Sequence, residues 1–195
     1  SNTALAITNN NSATFNSTQD KNACFYGKFL DLERGSSQYL SWSSTKTAPD
    51  TGDFTYECWV WVEAFSNYMA IMDARASAGD AAGFFWGFDT NGKYYIYCDS
   101  AIPIEREGLV IKTWYHCAVS RKGDQFRMFL DGNVVGTVTK NNNFNVDITR
   151  LGSDVHSAGY YFDGMMCDAR IYIGTAKYVD DFIPASPSPD FLAAS

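Results

Sequence analysis

Residues Thr113 to Val138 limit what this chain can become more than any other stretch. Trp114-Tyr115-His116-Cys117-Ala118-Val119-Ser120-Arg121 is strand-like, and after a short polar turn so is Phe126-Arg127-Met128-Phe129-Leu130. Asp131-Gly132-Asn133 then supplies residues that accept φ > 0, as a tight hairpin requires, before Val134-Val135-Gly136 resumes an extended pattern. Phe126, Met128 and Leu130 fall on one face of the second strand, with Arg127 and Phe129 on the other. The pattern predicts a β-meander whose Trp114, Phe126, Met128 and Leu130 turn toward a core, joined further on by Ile171.

The rest of the chain repeats this style. Strand-like runs fall at about 23–32, 38–42, 53–63, 68–73, 84–89, 93–98, 109–121, 125–131, 133–139, 148–152 and 161–173, separated by Gly, Asn, Asp, Ser or Pro. Many short strands at about ten-residue spacing predict a sandwich or barrel. No stretch has helical periodicity with caps, and 174–181 has room for one turn. At 195 residues and 46% hydrophobic content the chain suits one domain. Residues 1–22, rich in Asn, Ser and Thr, read as a polar N-terminal arm ordered by docking rather than by a core of its own. Residues 23–183 form the sandwich. Residues 184–195 form a tail, because the prolines of Ala185-Ser186-Pro187-Ser188-Pro189-Asp190 have no N–H for a central ladder. Ser1 implies a chain processed or cut from something longer; no secretory signal and no run of ~18 apolar residues is visible.

The wording of these segments is more specific than their pattern. Trp-Tyr-His-x-Ala-Val-x-Arg, a strand ending Asp-Gly-x-Val-Val-Gly, then Arg150-Leu151-Gly152, Phe162-Asp163-Gly164 and Arg170-Ile171-Tyr172 occur in that order. From about Gly27 to Tyr178 the chain resembles the laminin-G-like, concanavalin A-like jelly roll, which implies an all-β fold of two antiparallel sheets. Cys167 departs from the pattern, where such domains often carry an acidic residue. Gly174-Thr175-Ala176-Lys177-Tyr178 followed by Phe182-Ile183-Pro184 resembles the C-terminal edge of such domains in phage tail and virion proteins. The fold hosts many functions and names no ligand by itself.

Charge and cysteine content narrow the classes. A formal net charge of −7, with 15 scattered basic residues, argues against nucleic acid, whose phosphates require clustered Lys and Arg. Five cysteines (Cys24, Cys58, Cys98, Cys117, Cys167) show no Cys-x-x-Cys spacing. Cys58, Cys117 and Cys167 lie in strand-like runs, where Cys acts as a small buried hydrophobe. Free thiols throughout, and assembly in a reducing cytoplasm, are expected. Disulfides in an extracellular lectin are the competing reading, to which the Asn10 and Asn16 sequons lend weak support.

Two groups of aromatics are candidate ligand sites. In Phe54–Glu63 the alternation puts Phe54, Tyr56, Cys58, Val60 and Val62 toward the core, and Thr55, Glu57, Trp59, Trp61 and Glu63 outward. Indoles stack on sugar rings and carboxylates take their hydroxyls, so Trp59 and Trp61 form either a glycan platform or a surface under loops or a neighbouring chain. The second group lies on loops: Phe65, Asn67 and Tyr68; Gly83-Phe84-Phe85-Trp86; and Ala158-Gly159-Tyr160-Tyr161. Tyr160 is the leading single candidate, with Tyr161, Trp86 and Tyr68 beside it. Edge packing or a subunit interface is the alternative for each.

Catalysis is not expected. The Glu-x-Asp-x-x-Glu strand of glucanases with this fold is absent, and Asp31-Leu32-Glu33 and Glu105-Arg106-Glu107 each lack a third partner and read as solvated faces. Of the two histidines, His116 and His156, the former reads as a structural residue. No cofactor motif occurs. The resemblance implies calcium as a metal for loop carboxylates; Asp73, Asp80, Asp89, Asp154 and Asp163 are present, without a defined ligand spacing. The expected function is a non-catalytic phage virion surface module, a capsid decoration or tail appendage assembled in the host cytoplasm. Its expected partners are virion proteins, host-surface glycan and further copies of itself, with no membrane insertion. The alternative is a secreted lectin-like or glycan-processing protein of cellular origin.

Overall fold

The computed structural model describes residues 7–16, 29–42, 47–77, 79–148, 150–156 and 159–185. Two seven-stranded antiparallel sheets face each other. The first runs β1 (Ile7–Asn10), β4 (Tyr39–Trp42), β13 (Arg150–Leu151), β6 (Met69–Asp73), β7 (Phe85–Phe88), β8 (Tyr94–Cys98), β9 (Ala101–Arg106). The second runs β12 (Asn133–Thr139), β11 (Gln125–Leu130), β10 (Trp114–Lys122), β5 (Phe54–Val62), β14 (Gly164–Ile173), β3 (Phe29–Leu32), β2 (Thr14–Asn16). Among the described residues the helical content is one 3-10 turn, Arg34–Ser36. This is the all-β jelly-roll sandwich that the alternation and the motif order predict.

Between the sheets the alternation of β5 resolves as expected: Phe54, Tyr56, Cys58, Val60 and Val62 are all buried in the core. Phe54 and Tyr56 meet Phe84, Phe126 and Phe144 in a cluster of stacked and edge-on rings, geometries that aromatic quadrupoles favour. Arg121, the last residue of the Trp-Tyr-His motif, is 1% exposed. Its guanidinium lies over the Phe54 and Phe144 rings and donates to the Gly52, Asp50 and Asn142 carbonyls. Burial lowers its pKa from the usual value, but three backbone acceptors replace its lost water. The motif arginine therefore ties two loops to the core.

Several expectations are revised. Residues 7–10 and 14–16, inside the segment read as an arm, pair with β4 and β3 and add an edge strand to each sheet; the backbone ladder docks them, since Ile7, Thr8 and Asn9 are exposed. β9 lies outside the predicted runs. It contains Pro103 and is an edge strand, where a missing N–H is tolerated. Phe126 and Met128 are fully buried, but Trp114, Leu130 and Ile171 are only half-buried. Trp114 shares the outward phase of β10 with His116, and Leu130 sits at the core rim. Cys167 is disulfide-bonded, so the expectation of free thiols throughout does not hold. Cys58, Cys98 and Cys117 are free and buried as predicted. The 186–195 part of the tail, like Cys24, lies outside the described residues.

Part of the outer face of the second sheet, over β5, β10 and β11, is covered by the chain's own C-terminal segment. Thr175 to Phe182 crosses it, with the Phe182 N–H on the Gly132 carbonyl and the Ser120 hydroxyl on the Tyr178 carbonyl. Tyr178 and Phe182 stack at 3.5 Å and pack edge-on against Phe129. The Asp131-Gly132 turn has φ of 49° and 79°, as the hairpin predicted. A side chain at Gly132 would also strike the Phe182 carbonyl, 1.9 Å from the Cβ position. Beneath this strap Glu57, nominally outward, is 2% exposed. It accepts from Lys177 Nζ (2.7 Å) and the Tyr178 hydroxyl (2.6 Å), with His116 Nε2 at 3.4 Å. Burial alone would raise the Glu57 carboxyl; His116, Lys177 and Tyr178 outweigh it and bring the pKa down to about 2.

Candidate functional site

The outer face of the first sheet carries an aromatic layer of its own. Trp86, Tyr94 and Ile96 point into the core, so Phe85, Tyr95 and Tyr97 necessarily point out. Two loops rise beside them. Asn67 Nδ2 donates to the Gly159 carbonyl (3.1 Å) and ties the loop before β6 to the loop after β13. That bond brings Tyr68 and Tyr160 together, ring centroids 5.1 Å apart. With Arg75, Ile102 and Asp154 these residues line a cavity of about 330 Å3. Phe85, Tyr95 and Arg75 form a buried floor, while Tyr68 and Ile102 are exposed and Tyr97 and Tyr160 half-exposed.

The chemistry of the groove is aromatic and hydroxylic. Among the described residues none of the hydroxyls of Tyr68, Tyr95, Tyr97 and Tyr160 makes a hydrogen bond within the protein. Burial raises the Tyr95 pKa, so its phenol remains a donor as well as an acceptor at neutral pH. The cation of the groove is held in place: Arg75 Nε and Nη2 each donate to Asp73 at 2.9 Å, and Nη2 donates to Asp154 at 2.9 Å. Its flat guanidinium lies 5.3 Å from the Phe85 centroid and 5.4 Å from that of Tyr97. Burial pushes the Asp73 carboxyl above the usual range against the pull of Arg75. His156 completes the support, its N–H on Asp154 and its ring on the Arg75 carbonyl.

Tyr68 and Tyr160 thus share one groove, and the other predicted residues lie elsewhere. Trp86 is fully buried and donates to the Tyr94 hydroxyl at 2.7 Å, which withdraws it from any external ligand. Trp59 and Trp61 are on the other sheet, packed with Trp114 against Phe29, Met165 and Cys167. The carboxylate expected beside them, Glu57, is held under the strap. Tyr161 turns away from Tyr160, bridges Ser153 and lies 6.0 Å from Tyr39. The expectation missed Arg75, Tyr95 and Tyr97. Both phases of Tyr94-Tyr95-Ile96-Tyr97 are apolar or aromatic, so alternation gave no signal for the last two.

The acidic candidates also find definite places. Asp80 accepts from the Ala76 and Ala82 N–H groups, and Asp89 from those of Asn91 and Lys93. Asp73 and Asp154 converge on a guanidinium, which leaves no donor set suited to calcium there. Asp31 and Glu33, expected to lack a third partner, line a second cavity with Glu63 and Asp163. No group of three or more His, Cys, Asp or Glu among the described residues is arranged to hold a metal. None of the described helices is long and apolar enough to cross a membrane.

Two facing antiparallel sheets with an aromatic groove on one outer face define a jelly-roll sandwich. Residues 34–176 match the family model of the concanavalin A-like lectin/glucanases superfamily, and the chain belongs to that family. No curated protein matches it in sequence. Among solved structures it is similar to domain 4 of an extracellular arabinanase from Geobacillus stearothermophilus, solved with arabinotriose. That match has 14% identity, covers 89% of this chain and 84% of that one, and has a TM-score of 0.65. It is similar to the enzymatically active domain of tailspike protein 2 of bacteriophage CBA120, with 13% identity over 96% of this chain and 33% of that one and a TM-score of 0.65. The CBM40 of the Ruminococcus gnavus IT-sialidase, bound to alpha2,3 sialyllactose, matches at 12% identity over 68% and 80%, with a TM-score of 0.53. At these identities the likeness is one of fold.

Proposed function

We propose that the protein is a non-catalytic glycan-binding module carried on a phage particle, as a capsid decoration or tail appendage. The observation that carries the reading is the groove in which Tyr68 and Tyr160 stand over Phe85, Tyr95 and Tyr97 with four phenol hydroxyls turned to no partner among the described residues. Sugar rings present C–H faces to aromatic rings and hydroxyls to phenols, and a concave aromatic surface with a few polar groups suits them. Similarity to an arabinanase domain solved with arabinotriose and to a module bound to sialyllactose supports a carbohydrate ligand. Binding without turnover is supported by the two carboxylates at the groove, Asp73 and Asp154, both committed to Arg75. The virion setting is supported by the likeness to a tailspike domain over nearly the whole chain and by the Gly174–Tyr178 ending.

A second reading, a secreted lectin-like protein of cellular origin, is favoured by the disulfide at Cys167, since such bonds persist in oxidising surroundings. Mass spectrometry of purified particles against culture medium separates the two settings. The binding reading is tested by affinity electrophoresis through immobilised polysaccharides. Tyr160→Ala is expected to weaken retention by ~30-fold, the effect of losing a hot-spot ring worth about 2 kcal/mol, with unchanged thermal unfolding. Trp61→Ala, on the opposite sheet, is expected to have no effect. Retention that follows Trp61 instead of Tyr160 would move the site to the other sheet, and no retention on any polysaccharide would defeat the reading.

A further inference from the structure

We propose that the groove selects neutral, hydroxyl-rich sugars and rejects carboxylated ones such as sialic and uronic acids. This rests on the glycan-binding reading and names the ligand class of the same site. Recognition of a sugar carboxylate calls for a cation free to form a bidentate pair. Among the described residues Arg75 is the only cation lining the groove, and its Nε and Nη2 edge is taken by Asp73 and Asp154. Its flat face lies over Phe85 and Tyr97. With its side chain 8% exposed and those of Asp73 and Asp154 0% and 1%, the triad is fixed out of solvent. Its formal charge is one positive against two negative, so an incoming carboxylate meets a net negative floor.

The remaining polar groups are the phenol hydroxyls of Tyr68, Tyr95, Tyr97 and Tyr160, neutral and able both to donate and to accept. Sugar hydroxyls have the same dual character. A carboxylate accepts but cannot donate, and binding it here would remove it from water for a weaker set of partners. In this arrangement Arg75 is a positioning residue: its guanidinium packs over Phe85 and Tyr97 and touches no ligand charge.

The test is a glycan array carrying neutral oligosaccharides beside matched sialylated and uronate-bearing counterparts, probed with the full chain and with Tyr160→Ala, Tyr97→Phe and Asp154→Asn. Tyr160-dependent signal is expected on neutral glycans, with matched carboxylated partners at least about tenfold weaker, the scale of a charge repelled across several ångströms near a protein surface. Tyr97→Phe, which removes one hydroxyl and keeps the ring, is expected to weaken neutral binding severalfold. Asp154→Asn is expected to narrow the neutral-over-acidic ratio; wild-type discrimination decides the matter if that variant does not fold. Tyr160-dependent preference for carboxylated glycans would overturn the inference and leave the glycan-binding reading standing. Absence of Tyr160-dependent signal on every glycan would overturn both.

Discussion

Glu57→Gln is the sharpest probe of how the C-terminal strap is held. The wild-type carboxylate sits under Tyr178 and Phe182 and accepts from Lys177 and Tyr178. Its pKa falls from an ordinary 4.5 to about 2 in the fold. At roughly 1.4 kcal/mol per tenfold change in proton affinity, this corresponds to about 3 kcal/mol of stability at neutral pH. Because the folded value is the lower one, that contribution is complete above the unfolded value near 4.5 and fades as pH falls toward 2. About half should remain at pH 3. Lys177 has a side chain one-third exposed, so water relieves it when its partner loses charge. The amide oxygen introduced by the substitution still accepts from Tyr178, which keeps the change close to the charge effect. Urea unfolding of both proteins at pH 7, 5 and 3 should show a difference of about 2–3 kcal/mol at pH 7 that shrinks by pH 3. A difference below about 1 kcal/mol at pH 7, or one of equal size at all three pH values, would refute a charged latch beneath the strap.

Two further outcomes test the core. Phe126→Ala, at the centre of the ring cluster and fully buried, should lower unfolding free energy by about 3–5 kcal/mol in chemical denaturation; a loss under about 1 kcal/mol would mean that β11 is misregistered. Burial raises the thiol pKa values of Cys58, Cys98 and Cys117, so a thiol reagent should label them only in denaturant, and Cys167 only after reduction as well. Peptide mapping that finds Cys58 or Cys117 labelled in the native protein would contradict their placement between the sheets.

The sequence by itself determined the sandwich and much of its register. Alternation over Phe54–Val62 named the core face, Asp131-Gly132 named the hairpin, and the motif running through Trp114 to Tyr172 named the family. Strong period-2 contrast and turn chemistry are local properties, and local properties survive without coordinates. Where both phases of a strand are apolar the contrast vanishes. In Phe85-Trp86-Gly87-Phe88 and Tyr94-Tyr95-Ile96-Tyr97 either phase could have faced inward; in the fold Trp86 and Tyr94 take the core, where the Tyr94 hydroxyl meets Trp86 and the Ala118 and Phe129 carbonyls of the facing sheet. Tertiary structure alone decided that Trp86 is core and Tyr97 is surface. It alone joined Tyr68 to Tyr160, through a bond between Asn67 and Gly159 that spans 92 residues. It alone set Arg75 between Asp73 and Asp154, 79 residues further on. A groove made by loops meeting over a sheet face depends on how distant strands pair, and no window of the sequence contains that information.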